Sequence, residues 1–402
     1  MSKLDDLINE LCPNGVEYKK ISEVCEISRG IVMSKDFIRD NAGNYPVYSS
    51  QTENDGCLGY INTYKYDGEY LTWTTDGANA GTVFYRNGKF SVTNVCGLLK
   101  VININLITKF LFYALNIEAP KHVNRGMGNA KLMSNVMDSI SIPVPPLAVQ
   151  CEIVRILDNF TELTAELTAE LTARKKQYEY YRDSLLTFKT EIPRVKLGDI
   201  ATEIYRGSGI KKDEVTLDGI PCVRYGEIYT KYNIWFDSCV SHTKLEYVYS
   251  PKYFEYGDIL FAITGESVED IAKSIAYVGK EKCLAGGDIV VMKHKQNPKY
   301  LSYALSTVDA IKQKGKGKVK SKVVHSSVPA IQDIEIPLPP LEIQERIVNV
   351  LDNFDAICSD LKIGLPAEID ARKKQYEYYR DLLLRFELLG TNIATHTHTR
   401  GN

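Results

Sequence analysis

The sequence lacks the patterns that mark membrane, secreted and metal-binding proteins. No apolar run reaches the roughly 18 residues needed to span a bilayer, and the start, MSKLDDLINE, is acidic where a signal peptide is basic and then apolar. The nine cysteines include no Cys-x-x-Cys pair and form no cluster with histidine at metal-ligand spacing. We therefore predict a cytoplasmic protein with buried, reduced thiols and no bound metal.

Familiar catalytic motifs are also missing. The sequence has no GxxxxGK[ST] nucleotide loop, no HExxH helix and no GxSxG nucleophile turn. Residues 297–300 read NPKY, which departs at its third position from the motif with which adenine methyltransferases bind a flipped base, and we expect a helix to begin there instead. The sequence therefore predicts a chain that is not itself an enzyme.

The charge totals give no sign of a nucleic-acid partner, because 49 basic and 51 acidic residues leave a net charge of −2. The basic residues are nevertheless clustered. Residues 312–322 carry six lysines at alternate positions, and residues 121–131 are basic, contain glycine and have no acidic residue. Two such loops suit contacts with phosphates, although each alone could equally be a solvated flexible loop.

The chain repeats itself. ARKKQYEYYRD stands at 173–183 and again at 371–381, and PPLAVQCEIVRILDNF at 145–160 matches PPLEIQERIVNVLDNF at 339–354. Such a duplication predicts two copies of one architecture within the chain. Its parts are a variable region (1–145), a helical unit (146–190), a second variable region (191–338), a second helical unit (339–389) and a disordered tail (390–402).

Local patterns predict the structure of each part. Runs of β-branched and aromatic residues indicate strands at 70–73, 82–85, 97–102, 257–263, 274–278 and 288–292, with a turn at 86–88 and helices at 107–116 and 300–312. The helical units carry one apolar stripe each, with steps of three and four residues, and Gly364 and Pro366 predict a break in the second. The predicted class is α/β (α+β): two mixed, strand-rich domains joined by two long helices that pack as an antiparallel coiled coil, with a pseudo-two-fold repeat.

The chain resembles, over its whole length, the specificity subunits of type I restriction-modification enzymes. The repeated PPLxxQxxIVxxLDNF and RKKQYEYYRDxLL units resemble the two spacers of that family, and three ELTA units at 162–173 resemble repeats in the central spacer of one branch. The resemblance implies that the variable regions are target-recognition domains, each reading half of a bipartite asymmetric DNA target. It also implies partners: double-stranded DNA, two methyltransferase subunits and restriction subunits, which would bind S-adenosylmethionine, ATP and Mg in place of this chain.

Candidate DNA contacts are polar side chains in turn segments beside glycine, and the two basic loops. In the first domain we expect contacts from Arg29, Tyr48, Ser49, Ser50, Gln51, Trp73, Thr74, Thr75, Asn79, Arg125, Asn129 and Lys131. In the second we expect them from Arg206, Arg224, Tyr225, Thr264, Glu266, Lys314, Lys316, Lys318 and Lys320.

The tyrosines of the helical units are open to two interpretations. Tyr178, Tyr181, Tyr376 and Tyr379 either bind the methyltransferase subunits or pack the two helices on each other. A different class of function also fits the near-neutral charge. The chain would then be a non-catalytic coiled-coil scaffold with two protein-interaction domains.

The ELTA units yield a first testable prediction. Each four-residue unit adds about 6 Å to a helix and keeps leucine on one edge, so deletion of one unit should shorten the non-specific spacer of the DNA target and leave both half-sites unchanged. Single-molecule methylome sequencing of cells that express the chain with its methyltransferase partner measures both features. Altered half-site bases would contradict the prediction, and an unchanged target would indicate a leucine-rich helix without this role.

Overall fold

A computed structural model describes residues 3–126, 128–188, 192–267, 270–315, 318–320, 323–359 and 362–389 of the chain. The predicted tail at 390–402 lies outside the described residues. The Cα positions form two compact units. Unit 1 comprises Met1–Leu167 with Ile369–Asn402, and unit 2 comprises Thr168–Glu368, so each unit contains one variable region and parts of both helical segments.

The elements up to residue 186 alternate between short helices and strands and end in one long helix. In chain order they are α1 (Lys3–Leu11), β1 (Glu17–Lys20), α2 (Ile21–Val24), β2 (Cys25–Arg29), α3 (Lys35–Asp40), β3 (Ala42–Tyr48), β4 (Cys57–Ile61), β5 (Tyr66–Thr74), β6 (Val83–Val92), β7 (Cys96–Val101), α4 (Thr108–Glu118), α5 (Ser134–Ser139), β8 (Ser141–Val144) and α6 (Leu147–Leu186). Short 3-10 helices occur at Glu53–Gly56 and Ala119–His122.

The remaining elements follow the same plan with more and shorter strands. They are β9 (Arg194–Lys196), α7 (Leu197–Ile200), β10 (Ala201–Arg206), β11 (Val215–Thr216), β12 (Ile220–Val223), α8 (Tyr225–Thr230), β13 (Trp235–Phe236), β14 (Ser241–Thr243), β15 (Tyr253–Phe254), β16 (Ile259–Ala262), β17 (Thr264–Gly265), β18 (Ser274–Tyr277), β19 (Cys283–Ala285), β20 (Ile289–His294), α9 (Pro298–Ala304), α10 (Val308–Lys314), β21 (Lys318–Lys320), β22 (Val323–His325), α11 (Val328–Gln332), β23 (Glu335–Pro337), α12 (Leu341–Ser359) and α13 (Leu365–Leu383). Short 3-10 helices occur at Lys212–Glu214 and Leu245–Tyr247.

Unit 1 is built on a twisted sheet with the strand order β2-β7-β5-β6-β3-β4. Successive side chains of a strand point to opposite faces. Leu71, Trp73 and Leu99 therefore join the core that includes α4 and the start of α6, whereas Phe90 and Leu98 lie in a second cluster. The strands predicted at 70–73 and 97–102 are confirmed as parts of β5 and β7.

The turn predicted at residues 86–88 is wrong, because β6 runs through it without interruption. Gly88 pairs with Gly68 of β5, and both glycines have positive φ angles, 105° and 116°. Glycine adopts this backbone at little cost. The two strands can therefore continue past a glycine pair that the sequence alone suggests as a turn.

Unit 2 places its central sheet, β10-β20-β16-β18-β13, between two cores. Alternation along β16 sends Ile259 and Phe261 toward α9 and α12, and Leu260 and Ala262 toward α8. The strands predicted at 257–263, 274–278 and 288–292 are confirmed as β16, β18 and β20. A second sheet has the order β11-β14-β12-β19-β15.

The predicted helix at 300–312 is divided in the structure. α9 begins at Pro298, as predicted from residues 297–300, and Asn297 caps it by accepting a hydrogen bond from Tyr300 N. Thr307 then caps a new helix, α10, by accepting from Ala310 N. A threonine cap favours a helix start, so the residues before it leave the helical path. The break predicted at Gly364 is confirmed, since α12 ends at Ser359 and α13 begins at Leu365.

The glutamine of the repeated PPLxxQ motif connects each long helix to its domain through hydrogen bonds. Gln150 in α6 is fully buried; its amide donates to Pro145 O at 2.7 Å and its oxygen accepts from Ile107 N at 2.9 Å. Gln344 in α12 makes the equivalent bonds, to Pro339 O at 2.8 Å and from Asn297 N at 3.0 Å. Each glutamine thereby joins the start of a long helix to the segment before the domain helix.

The aspartate of the repeated LDNF motif makes a second connection. Asp158 accepts from Lys109 and Tyr113, both at 2.6 Å. Asp352 accepts from Lys299 at 2.6 Å and Tyr303 at 2.7 Å, and from the Trp235 indole at 3.2 Å. In each unit one carboxylate therefore holds a lysine and a tyrosine of the domain helix.

Each unit also contains a packed pair of helical segments. In unit 1, Phe160 of α6 stacks on Tyr379 of α13 with ring centroids 5.5 Å apart. In unit 2, Tyr181 of α6 stacks on Phe354 of α12 at the same distance. Unit 1 is further closed by residues from the end of the chain, since Val16 N donates to Glu387 O at 2.9 Å and Tyr18 donates to Phe386 O at 2.9 Å.

The buried glutamines support a stability prediction. Gln150→Ala or Gln344→Ala leaves a buried main-chain N–H and C=O without their partner, so each variant should lose about 1–3 kcal/mol of unfolding free energy. Urea denaturation followed by fluorescence measures the loss. The control Gln177→Ala removes only a solvent-exposed bond from Arg174 and should cost less than about 0.5 kcal/mol. Equal effects of the three substitutions would contradict the prediction.

Candidate nucleic-acid interface

In unit 1 the basic loop folds back against the end of β5. Asn124 and Lys131 pair across the loop in a β-bridge, and Lys131 also bridges to Asp76. Gly77 N donates to Ala130 O at 3.0 Å, and Leu132 N donates to Thr75 O at 2.9 Å. We call residues 124–131 the first hairpin. Two segments that sequence reasoning singled out separately, 73–79 and 121–131, therefore lie together.

The exposed side of the first hairpin carries hydrogen-bond donors. Arg125, Asn129 and Lys131 are exposed, and a cleft of about 260 Å³ is lined by Asn124, Gly126, Gly128, Asn129 and Lys131. The Lys131 ammonium lies 3.8 Å from the Asp76 carboxylate. An ammonium and side-chain amides at a surface can contact phosphates and base acceptors.

The third predicted segment of unit 1 joins the same region. Asn79 donates to Thr52 Oγ1 at 2.8 Å, which connects the loop after β5 to the loop after β3. In the loop after β3, Ser49 Oγ accepts from Thr93, which directly follows β6, at 3.2 Å, and the Gln51 amide donates to Cys57 O at the start of β4. Tyr48, Ser49, Ser50 and Gln51 are all half-buried. These residues are therefore held in place while part of each stays accessible.

Arg86 organises this loop, although sequence reasoning missed it. Its side chain is buried; the guanidinium lies 3.6 Å from the Tyr48 ring centroid and donates to Asp55 Oδ2 at 2.5 Å, Asp55 O at 2.7 Å and Thr72 Oγ1 at 3.1 Å. Asn54 and Asp55 have φ angles of 49° and 52°, which non-glycine residues adopt rarely. Arg86 thus fixes a loop whose backbone has little intrinsic preference for its shape.

Three predicted contacts in unit 1 are corrected by the structure. Trp73, Thr74 and Thr75 are buried in β5 and just beyond it. The Trp73 indole donates to Leu132 O at 3.0 Å, and the Thr75 hydroxyl donates to Val95 O at 2.8 Å. β5 extends to Thr74, further than the turn residues suggested. The three side chains therefore pack beneath the loop and are not available to DNA. Arg29, half-buried, donates to Ser134 Oγ at 3.2 Å.

Unit 2 repeats the arrangement with regular strands. β21 and β22 form a second hairpin, residues 318–325, and β22 pairs with β17, where Thr264 lies opposite His325. The pairs 124 with 131 and 318 with 325 are related by the 194-residue offset of the sequence repeat. The basic loops predicted from charge therefore occupy equivalent positions in the two units.

Two predicted segments of unit 2 also meet. A cleft of about 420 Å³ is lined by Tyr225, Gly226, Tyr229, Thr230, Thr264, Gly265, Glu266 and Asp270. Tyr225 and Glu266 are exposed, and Thr264 Oγ1 lies 3.3 Å from His325 Nδ1. Arg224 precedes α8 and is half-buried; its main-chain N donates to Glu227 Oε2 at 2.9 Å. Arg206 is exposed but bonded to Gly287 O and Asp288.

The lysines of the second basic loop differ in their placement. Lys314 is buried and donates to Ser274 Oγ at 2.9 Å and Leu305 O at 2.8 Å; burial lowers the pKa of its ammonium group to about 7. The prediction that Lys314 contacts DNA is therefore wrong. Lys316 lies outside the described residues, and of Lys318 and Lys320 the structure describes the backbone alone.

The environments of the four tyrosines predicted in the helical units support the interpretation that they pack the helices. Tyr178 and Tyr376 pack against the cores of their units, and burial raises the pKa of both hydroxyl groups. Tyr181 and Tyr379 form the stacked pairs described above. Their neighbours Tyr180 and Tyr378 are the exposed members of the clusters, at 69% and 66%.

The described residues contain neither a membrane-spanning helix nor a cluster of metal ligands. Within them no helix is long and apolar enough to cross a membrane, and no group of three or more His, Cys, Asp or Glu side chains could hold a metal ion. All nine cysteines have free thiols. Most are buried as predicted, but Cys151 on α6 is exposed and Cys239 is half-buried.

Comparison with known proteins finds similarity to one family in both halves of the sequence. A family model described as the type I restriction modification DNA specificity domain matches the chain twice, over residues 13–174 and 191–371. A Mycoplasma pneumoniae protein named as a type I specificity subunit is 35% identical over 372 residues, which cover 91% of this chain and 97% of that protein. The type I restriction enzyme MpnII specificity subunit of the same organism is 47% identical over 176 residues, covering 43% of this chain and 53% of its own.

Two solved structures are similar in fold. The S subunit of a type I restriction-modification system from M. genitalium has a TM-score of 0.52 at 16% identity and covers 92% of this chain and 95% of its own. A chain from a structure described as the basis of complex assembly and conformational transition of the type I R-M system has a TM-score of 0.61 at 14% identity, with coverages of 93% and 98%. The predicted class of two strand-rich domains with long helices is confirmed.

The role of Arg86 can be tested without any ligand. Arg86→Lys keeps the charge but loses the forked hydrogen bonds and much of the ring stacking, so amide hydrogen exchange in residues 49–57 should accelerate about tenfold, which corresponds to ~1.4 kcal/mol. Mass spectrometry measures this exchange by segment. The control Arg39→Lys changes an exposed arginine paired with Asp36 and Asp40 and should leave the exchange unchanged. Wild-type exchange of residues 49–57 in Arg86→Lys would contradict the assignment.

Proposed function

This chain belongs to the type I restriction-modification DNA specificity family, and we propose that it is the DNA-reading subunit of such an enzyme. In this role it binds a bipartite, asymmetric target, and each unit reads one half. The chain itself catalyses no step. Methylation and cleavage fall to partner subunits, which bind S-adenosylmethionine, ATP and Mg, and the complex acts on DNA in the cytoplasm.

The observation that carries this proposal is the repetition of one surface in both units. Each unit has a hairpin that pairs with the segment after a buried strand. The first hairpin contains glycines, and the second contains lysines. Phosphate contacts position a protein on a duplex and base-edge contacts give sequence preference. The hairpins supply basic groups, and the adjoining clefts supply side chains that differ between the units. Recognition of an asymmetric bipartite target requires similar phosphate contacts in both units and different base-contacting side chains in each.

The helical segments are the proposed docking surface for the methyltransferase subunits. The exposed tyrosines Tyr180 and Tyr378 belong to identical sequence segments, and each adjoins a stacked ring pair. Two equal surfaces suit two copies of one partner, and tyrosine is enriched at protein interfaces. We also propose that the three ELTA units mark the chain as a member of the branch of the family that carries such repeats in its central spacer, and that the restriction subunits bind the assembled complex.

Salt dependence separates this proposal from a scaffold with two protein-interaction domains. Specific DNA binding releases counterions, so the affinity should fall steeply as salt rises from 50 to 200 mM. Fluorescence anisotropy of the complete chain with its methyltransferase subunit, on a duplex that carries the methylated target, measures this fall. Affinity that is independent of salt and of duplex sequence would favour the scaffold.

The second hairpin should account for part of that salt dependence. The double substitution Lys318→Ala and Lys320→Ala should weaken binding to all duplexes alike and lower the logarithmic salt slope by about two. The matched control, Lys373→Ala with Lys374→Ala, removes two lysines from α13 and should leave the slope unchanged. An unchanged slope in the hairpin variant, or an equal change in the control, would contradict the placement of the hairpin on DNA.

A further inference from the structure

The two clefts beside the hairpins differ in chemical character. The cleft of unit 1 is lined by a lysine and two asparagines, and Asn124 already uses its oxygen to accept from Gly126 N at 2.9 Å. It therefore presents mainly donors. The cleft of unit 2 is lined by hydroxyl and carboxylate groups, and no lysine or arginine is among its described lining residues. It therefore presents acceptors.

Most of the acceptors in the unit 2 cleft already have partners. Thr264 faces His325 Nδ1, and the Asp270 carboxylate accepts from Ser267 Oγ at 2.8 Å. The Tyr229 hydroxyl donates to Ala262 O at 3.3 Å. Glu266 is different, because it is exposed and forms no ion pair or hydrogen bond with any residue that the structure describes. Its carboxylate is an acceptor of the cleft that has no partner among the described residues.

Glycines line both sides of the cleft beside Glu266. Glu266 directly follows β17, whose Gly265 is buried, and a Cβ at Gly265 would lie 3.0 Å from the Tyr229 hydroxyl. Gly226, across the cleft, has open space where a Cβ would stand. The two glycines keep the cleft open, and pairing of β17 with β22 places its edge beside the second hairpin.

A carboxylate beside a phosphate-binding hairpin is unfavourable unless it meets a donor. Phosphates repel it, and in the major groove the donors are the amino groups of cytosine and adenine. Asparagine and glutamine suit adenine, which offers a donor and an acceptor side by side, whereas glutamate accepts from cytosine N4. We propose that Glu266 reads a cytosine in the half-site of unit 2 by accepting a hydrogen bond from its N4 amino group. This inference rests on the proposed function.

The test uses the complete chain with its methyltransferase subunits and a pool of randomised DNA duplexes. Wild type and Glu266→Gln are each used to select bound duplexes, which are then sequenced. Glu266→Gln should reduce the preference for cytosine at one position of one half-site by roughly tenfold or more and leave every other position unchanged. Binding to unrelated duplexes should not weaken, since the substitution removes a negative charge.

The control is Glu203→Gln, which changes an exposed glutamate on β10, outside the cleft, and should select the wild-type target. Unchanged selection by Glu266→Gln would overturn the inference, as would uniform weakening of both half-sites in a variant with the wild-type circular dichroism spectrum. Relaxation of the same base by Glu203→Gln would also overturn it. A wild-type complex that selects no bipartite sequence contradicts the proposed function itself, which distinguishes the two failures.

Discussion

One half-buried carboxylate in each unit connects the long helices to the domains that they carry. Asp158 and Asp352 each accept from a lysine and a tyrosine on the domain helix, and each is supported by a glutamine two turns earlier. Charge-assisted hydrogen bonds of this kind are strong and directional. They fix the domain helix, and therefore the sheet packed on it, with respect to the long helix of the same unit.

The sheets in turn determine where the hairpins lie. In unit 1 the first hairpin pairs with Asp76, two residues after β5, and in unit 2 the second hairpin pairs with β17, which begins two residues after β16 ends. A buried strand thus determines the position of each hairpin, while Arg125 and Asn129 of the first hairpin and Tyr225 and Glu266 of the unit 2 cleft are exposed. Such an arrangement lets the surface residues differ between units without disturbing the repeated core.

Much of this organisation was predictable because its signals are local. Runs of β-branched and aromatic residues predicted β5, β16 and β20, and charge clustering predicted the two basic loops, which the structure shows as hairpins. Burial was harder to predict. Lys314 belongs to a run of alternating lysines, yet it lies one helical turn after buried Ala310 and so faces the core. Arg86 was missed because the Gly68–Gly88 pair, a tertiary feature, converts a predicted turn into strand.

Unit 1 is discontinuous in sequence, and this has a consequence for its synthesis. Its helical pair needs Tyr379, and its first strand region needs Phe386 and Glu387. These contacts join residues more than 200 positions apart, and contacts of such high sequence separation form slowly. Unit 2 is one continuous segment. On the ribosome, unit 2 can therefore close first, and unit 1 keeps part of its apolar surface open until Tyr379, Phe386 and Glu387 emerge.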